Sequence, residues 1–208
     1  MVTDENKGYL KRYSEVKSTR VDWLWYPYIA YGKITLLQGD PGDGKSTMIL
    51  KIISLLSNGR KPPNGKIMMK PIKSIYQCSE DGVADTIKPR LEQMNANCKN
   101  VAFIDEESST PLTIDDERLL GAIREFRPKL VVIDPIQAYI GSDSDLFVTG
   151  RARKLMHKLS LCASIYGCAI VLVGHFTKRE GAKNLYRGLG STVSIQMTMH
   201  CIRIREMI

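Results

Sequence analysis

The segment Gly39-Asp40-Pro41-Gly42-Asp43-Gly44-Lys45-Ser46 combines residue types that can bind the phosphates of a nucleotide. It follows the apolar stretch Ile34–Leu37 and precedes a predicted helix, Ser46–Ser57. Its glycines allow backbone N–H groups to approach phosphate oxygens, and the start of the helix adds the positive end of its dipole. The pattern in this strand–loop–helix setting predicts a P-loop that binds ATP together with Mg²⁺.

Each polar side chain of this segment has an expected role. Lys45 is expected to contact the β- and γ-phosphates and Ser46 to bind Mg²⁺, while Thr47 is expected to contact the α-phosphate. Asp40 and Asp43 carry negative charge in a loop that binds anions. We therefore expect both carboxylates to face away from the nucleotide.

A metal partner is predicted at the end of another apolar strand, Leu130–Asp134. Asp134 follows four apolar residues and is expected to hold Mg²⁺ through water, because Mg²⁺ keeps part of its hydration shell. The alternative is an aspartate that caps a helix or forms a turn before Pro135.

Hydrolysis also needs a group that orients or deprotonates water. Many P-loop ATPases place a glutamate directly after this aspartate, but Pro135 occupies that position here. Glu80 is the best candidate base, because its strand, Ser74–Ser79, could lie beside the P-loop strand. Asp81 is the second candidate, and its other possible role is to cap a helix that begins near Val83.

A histidine ends the predicted strand Ala169–Gly174. His175 could bond the γ-phosphate and transmit its loss to the following loop, or it could be a hydrogen-bonded structural residue. That loop contains four cations, which could contact a nucleic-acid backbone or be simply solvated. They are Lys178, Arg179, Lys183 and Arg187.

The composition is that of one soluble α/β domain. The 208 residues include 30 Lys and Arg against 22 Asp and Glu, and the net charge of +8 permits contact with a polyanion. No apolar run approaches the roughly 20 residues that span a bilayer, and no secretory signal is recognisable, so we expect a cytoplasmic protein without a membrane partner. The five cysteines form no Cys-x-x-Cys pair and are expected to be core thiols.

Short apolar runs alternate with amphipathic stretches, which predicts a doubly wound, mainly parallel sheet flanked by helices. Residues 1–20 are expected to form a flexible arm and residues 21–208 the α/β domain. The aromatic segment that begins at Val21 is expected to pack on the sheet edge, with an adenine-stacking platform as the alternative. The remaining predicted elements are the strands Lys33–Gln38 and Val101–Asp105 and the helices Val83–Met94, Asp115–Phe126 (with Thr113 as N-cap) and Leu146–Tyr166.

Several of these pieces together resemble the RecA-type P-loop ATPases, especially the branch of RepA-like hexameric helicases and AAA-domain proteins of mobile elements. The matching segments occur in the family's order and cover roughly residues 21–191. They are residues 32–46, Ser79-Glu80-Asp81, Arg90-Leu91, residues 132–139, Gly174-His175 and residues 186–191.

The resemblance implies a RecA-like core that assembles as a ring or filament with ATP between neighbouring subunits. It implies Glu80 as catalytic base, His175 as phosphate sensor, and Arg187 as a residue near the subunit boundary that contacts phosphate or DNA. It favours a DNA helicase or translocase acting in replication on single-stranded DNA. The alternative is a non-motor ATP switch in recombination or regulation. After Ser191 the sequence departs from the family pattern, so we expect the last C-terminal strands to be missing.

Overall fold

The computed structural model describes residues 10–65, 70–106, 110–140, 149–175 and 199–203. A small antiparallel pair precedes the main sheet and consists of β1 (Trp23–Trp25) and β2 (Ile29–Ala30). The strands of the main sheet are β3 (Ile34–Gly39), β4 (Ser74–Cys78), β5 (Val101–Ala102), β6 (Leu130–Asp134), β7 (Ala169–His175) and β8 (Met199–Arg203). The α-helices are α1 (Lys45–Ser57), α2 (Lys88–Gln93), α3 (Glu117–Phe126) and α4 (Thr149–Tyr166).

The six strands of the main sheet lie in the order β5-β4-β6-β7-β3-β8, and every neighbouring pair is parallel. The prediction of an α/β, RecA-like P-loop fold is confirmed. The expectation that β4 lies beside the P-loop strand β3 is wrong, because β6 and β7 stand between them. Instead β7 pairs with β3 from Ile170 to His175 and with β6 on its other side, whereas β4 pairs with β6 and β5.

Helices cover both faces of the sheet. Leu37 and Val132 point to the face covered by α1, where they join Ile49 and Ile53 in one apolar cluster. The adjacent residues of the same strands contribute to a second cluster, with α3 and α4, on the opposite face. This division follows from the strand geometry, since successive side chains point to opposite faces.

The α1 helix is joined at its end to the segment that follows α2. Ser54 Oγ donates to Met94 O at 2.6 Å, and Ser57 Oγ accepts from Asn97 N at 2.9 Å. Asn58 Nδ2 donates to Asn95 O at 2.7 Å. These bonds satisfy polar groups at a largely buried helix end, as helix termini require.

Two helix starts differ from the predictions. The α3 helix begins at Glu117 and its N-cap is Asp116, whose Oδ1 accepts from Arg118 N at 2.8 Å. Thr113 therefore does not cap it, because the threonine hydroxyl bonds Asp115 instead. The predicted helix Val83–Met94 is a π-helical turn, Val83–Ile87, followed by α2. The remaining short helices are 3-10 turns at Tyr13–Glu15, Cys98–Asn100 and Ile136–Tyr139.

Aromatic and cysteine side chains contribute to packing. Trp25 is buried, and its indole Nε1 donates to Pro63 O at 2.9 Å, as expected for a segment that packs against the domain. Cys162 and Cys168 are buried free thiols, and burial raises the pKa of Cys168 to about 12. None of the helices in the described part of the chain is long and apolar enough to cross a membrane.

Candidate active site

The carboxyl ends of β3, β4, β6 and β7 lie at one edge of the sheet. Residues 40–44 connect β3 directly to α1, which starts at Lys45. Gly42 and Gly44 have φ values of 86° and 81°, in the left-handed region where glycine is favoured. This loop therefore has the strand–turn–helix geometry that directs backbone N–H groups and the start of a helix toward one point.

Lys45 lies at the centre of this edge. Its side chain is buried, and Nζ donates to Gly39 O at 3.1 Å and to Asp40 O at 2.8 Å. Burial lowers the pKa of Lys45, and the negative charges of Asp43, Asp134, Asp40 and Glu80 oppose that shift. The ammonium group is therefore within electrostatic reach of carboxylates that come from the loop, β6 and the end of β4.

The Asp43 carboxylate bonds the backbone of its own loop. Its Oδ2 accepts from Asp40 N at 2.7 Å, and a Cβ added to Gly39 would lie 2.7 Å from the same oxygen. A side chain at position 39 would displace this carboxylate. The glycine at position 39 is thus explained by a close contact inside the loop.

Asp134 is buried at the end of β6, on the same face of the sheet as α1. Its Oδ2 accepts a hydrogen bond from Tyr76 Oη at 2.8 Å. Burial, followed by the charge of Asp134, raises the pKa of Tyr76, so the phenol stays protonated and donates. Sequence reasoning missed this tyrosine. The only signal in the sequence was a polar hydroxyl at Tyr76 within the predicted strand Ser74–Ser79.

The donor set fits magnesium. Ser46 is the second residue of α1, and Tyr76 engages one oxygen of Asp134, which leaves the other oxygen for a metal ion or its water. Hydroxyl, carboxylate, nucleotide and water oxygens are the ligands that Mg²⁺ takes at such sites. Within the described residues no group of three or more His, Cys, Asp or Glu could hold a metal without a nucleotide.

Glu80 lies just beyond β4 and is exposed. Although β4 is separated from the P-loop strand, the Glu80 charge still acts on Lys45, which places the two at the same edge of the sheet. Asp81 does not cap the following helix, because Gly82 is its N-cap and no side chain bonds there. Asp81 instead accepts from Arg90 at 2.7 Å, in a half-exposed ion pair.

His175 is the last residue of β7 and stands opposite Gly39 in the parallel register. Because β7 lies between β3 and β6, its end falls between the P-loop and Asp134. The His175 side chain lies outside the described part of the structure, as do Arg187 and the other cations of the loop after β7.

Comparison with known proteins identifies a matching family and several relatives. Residues 10–181 match the model of a family described as AAA domain. The chain is 30% identical over 156 residues to the DNA repair protein RadA of Bacillus subtilis, which covers 74% of this chain and 30% of that protein. It is 27% identical over 184 residues to the DNA repair protein RadA of Campylobacter jejuni, covering 87% of this chain and 36% of the relative. The chain thus spans about a third of the length of these relatives.

Proposed function

This chain belongs to the AAA domain family, and we propose on that basis that it binds and hydrolyses ATP with Mg²⁺ at the carboxyl edge of its sheet. The carrying observation is the geometry of the loop between β3 and α1, where Gly42 and Gly44 have positive φ and the buried Lys45 begins the helix. Asp134 at the end of β6 and Glu80 just beyond β4 lie at the same edge of the sheet. In this family an edge with these groups suits phosphoryl transfer to water.

The proposed reaction is in-line attack of water on the γ-phosphorus, which forms inorganic phosphate while the bond from the γ-phosphorus to the bridging oxygen breaks and ADP leaves. Backbone N–H groups of residues 42–47 and the Lys45 ammonium bind the phosphate oxygens, and the Thr47 hydroxyl contacts the α-phosphate. Ser46, and Asp134 through water, would hold Mg²⁺, which would supply positive charge at the phosphates. Glu80 accepts the proton of the attacking water, and His175 contacts the γ-phosphate at the end of β7.

We propose that nucleic acid is the macromolecular partner. The resemblance to RepA-like helicases favours a DNA helicase or translocase of plasmid or phage type acting in replication. The name of the relatives, DNA repair protein RadA, favours the second candidate, a non-motor switch in repair or recombination. Both candidates use the cations after β7, Arg187 included, to contact single-stranded DNA or a neighbouring subunit of a ring or filament.

ATP hydrolysis with and without single-stranded DNA tests the first part of this proposal. Lys45→Ala should abolish ATP binding, whereas Glu80→Gln should bind ATP and hydrolyse it about 100-fold more slowly, the typical loss on removing a general base. Glu125→Gln, an exposed carboxylate on α3 away from this edge, is the matched control and should retain activity.

The outcomes separate the candidates. Hydrolysis stimulated by DNA and ATP-driven movement along a strand would support the motor. Assembly that depends on ATP without movement would support the switch. Normal turnover by Glu80→Gln would contradict the assignment of Glu80, and ATP binding by Lys45→Ala would contradict the proposed phosphate site.

A further inference from the structure

The edge of the sheet opposite the candidate active site begins with a row of lysines. Lys33, Lys73 and Lys129 each come directly before a strand, namely β3, β4 and β6. Their backbone groups form hydrogen bonds within the sheet: Lys129 N donates to Lys73 O at 2.8 Å, and Ile170 N donates to Lys33 O at 3.0 Å. All three side chains are exposed. The positions of these charges are therefore determined by the sheet and not by a free loop.

Three further exposed cations belong to the same edge. Two of them lie there because α1 and α3 run antiparallel to the strands and end at this edge, and the third because it comes shortly before a strand. Arg60 follows the end of α1, Lys99 precedes β5, and Arg127 is the C-cap of α3. The hydrogen bonds Ile72 N to Leu56 O at 3.1 Å and Asn100 Nδ2 to Ser57 O at 2.9 Å join these segments. We call these six residues the basic edge: Lys33, Arg60, Lys73, Lys99, Arg127 and Lys129.

Acidic side chains are sparse at the basic edge. In the described part of the chain Asp22, Glu92 and Glu125 lie near it. Glu92, in the last turn of α2, pairs with Lys88, and no described carboxylate forms a salt bridge with any of the six residues. Lys73 lies over the Phe126 ring at 4.9 Å, and Lys129 Nζ donates to Gly167 O at 3.4 Å. Many of the described acids lie at the opposite edge, with the P-loop and Asp134. The protein therefore has a charge gradient along its strands.

We propose that the basic edge binds the sugar–phosphate backbone of a nucleic acid. Neighbouring strands lie about 4.8 Å apart, so the five strands from β5 to β3 span about 20 Å, the rise of about six nucleotides of one strand. Point charges in a row suit phosphates and do not read base sequence. This surface goes beyond the proposed function, because it lies at the edge of the sheet opposite the proposed ATP site.

Anisotropy titration tests the basic edge in the absence of ATP, so the result does not depend on whether the chain is an ATPase. The probes are a fluorescein-labelled single-stranded oligonucleotide of about 20 nucleotides and its duplex, a length that exceeds the proposed footprint. The test variant is Lys33→Gln/Lys73→Gln/Lys129→Gln. The matched control is Lys51→Gln/Lys154→Gln/Lys158→Gln, which changes net charge equally at exposed lysines of α1 and α4.

We expect the test variant to lose at least about tenfold in affinity at low salt. Its slope of log affinity against log salt should fall by about 2 to 3, roughly one for each lysine, while the control keeps the wild-type slope. Equal losses in both variants would mean that only net charge matters and would overturn the proposal. The same conclusion follows if the wild type does not bind, or if polyglutamate of equal charge competes as well as unlabelled oligonucleotide. Thermal melting and ATP-analogue binding by the test variant establish that it is folded.

Discussion

At the scale of single residues, the most constrained group of the candidate site is the carboxylate of Asp134. It is buried beneath the P-loop, and Tyr76 from the adjacent strand holds one of its oxygens. A buried carboxylate that lost this bond would be free to rotate, and its unmatched charge would be costly away from water. Tyr76 is therefore a positioning residue for the proposed metal site.

Tyr76→Phe should weaken Mg²⁺ binding by about 10- to 100-fold, the range for residues that orient metal ligands, without removing ATP binding. The reason is that phenylalanine keeps the packing of the ring and deletes only the hydroxyl bonded to Asp134. The measurement is Mn²⁺ binding in the presence of a non-hydrolysable ATP analogue, followed by electron paramagnetic resonance, with the Mg²⁺ dependence of hydrolysis as the second readout.

Tyr139→Phe is the control for this substitution. Tyr139 is another fully buried tyrosine, on the 3-10 turn after β6, and it does not bond Asp134. If both variants shift the Mn²⁺ affinity equally, the effect comes from general loss of a buried hydroxyl. Tyr76 would then have no special role at the metal site.

At the scale of elements, Gln77 explains why β5 is shorter than predicted. The predicted strand Val101–Asp105 pairs with β4 only at Val101 and Ala102. Beyond them the Gln77 side chain bonds the backbone of Ile104, donating to its O at 3.1 Å and accepting from its N at 2.8 Å. Gln77 also donates to Glu106, which accepts from Leu112 N at 2.8 Å. The side-chain amide of Gln77 thus takes the place of the backbone hydrogen bonds that would continue the β4–β5 pairing.

Gln77→Leu should lower the free energy of unfolding by about 1 to 3 kcal/mol, because it leaves the backbone groups of Ile104 without their partner. Urea unfolding measures the stability, and hydrogen exchange at the Ile104 amide should become faster than in the wild type. Gln93→Leu, at an exposed position of α2, is the matched control. Unchanged stability and exchange in Gln77→Leu would show that water satisfies these groups equally well.

At the scale of the whole molecule, the separation of charge along the strands is the basis for proposing a different partner at each edge. The carboxyl edge concentrates acids around one buried lysine and suits a magnesium nucleotide. The opposite edge carries six cations that form no salt bridge with a described carboxylate, and it suits a polyanion. Both follow from parallel topology, because all six strands present their carboxyl ends at one edge and their amino ends at the other.

A prediction at this scale concerns the assembly of subunits. If Arg187 acts across a subunit boundary, Arg187→Ala and Lys45→Ala should each be inactive alone, and a mixture should recover part of the ATPase activity. The reason is that a Lys45→Ala subunit keeps its arginine and can complete the intact P-loop site of an Arg187→Ala neighbour. Steady-state ATP hydrolysis across mixing ratios measures the recovery. A mixture no more active than its components would place Arg187 outside the neighbour's site.

Much of the fold and of the candidate site was predictable from the sequence. The P-loop, the β6 strand that ends at Asp134 and the helices α1 and α3 depend on local patterns of glycine, apolar and polar residues, which short segments carry by themselves. The position of His175 at a strand end was likewise predictable from a local pattern. The roles of Glu80, Lys45, Asp134 and the loop residues remain proposals that the experiments above test.

Tertiary structure decided what no local pattern encodes. The strand order, with β7 between β3 and β6, depends on pairing between strands far apart in the sequence, and that is a property of the assembled sheet. The bond from Tyr76 to Asp134 joins residues 58 positions apart and exists only because β4 and β6 are neighbours in register. The basic edge likewise arises only when separate lysines, each unremarkable in its own loop, are brought to the same end of parallel strands.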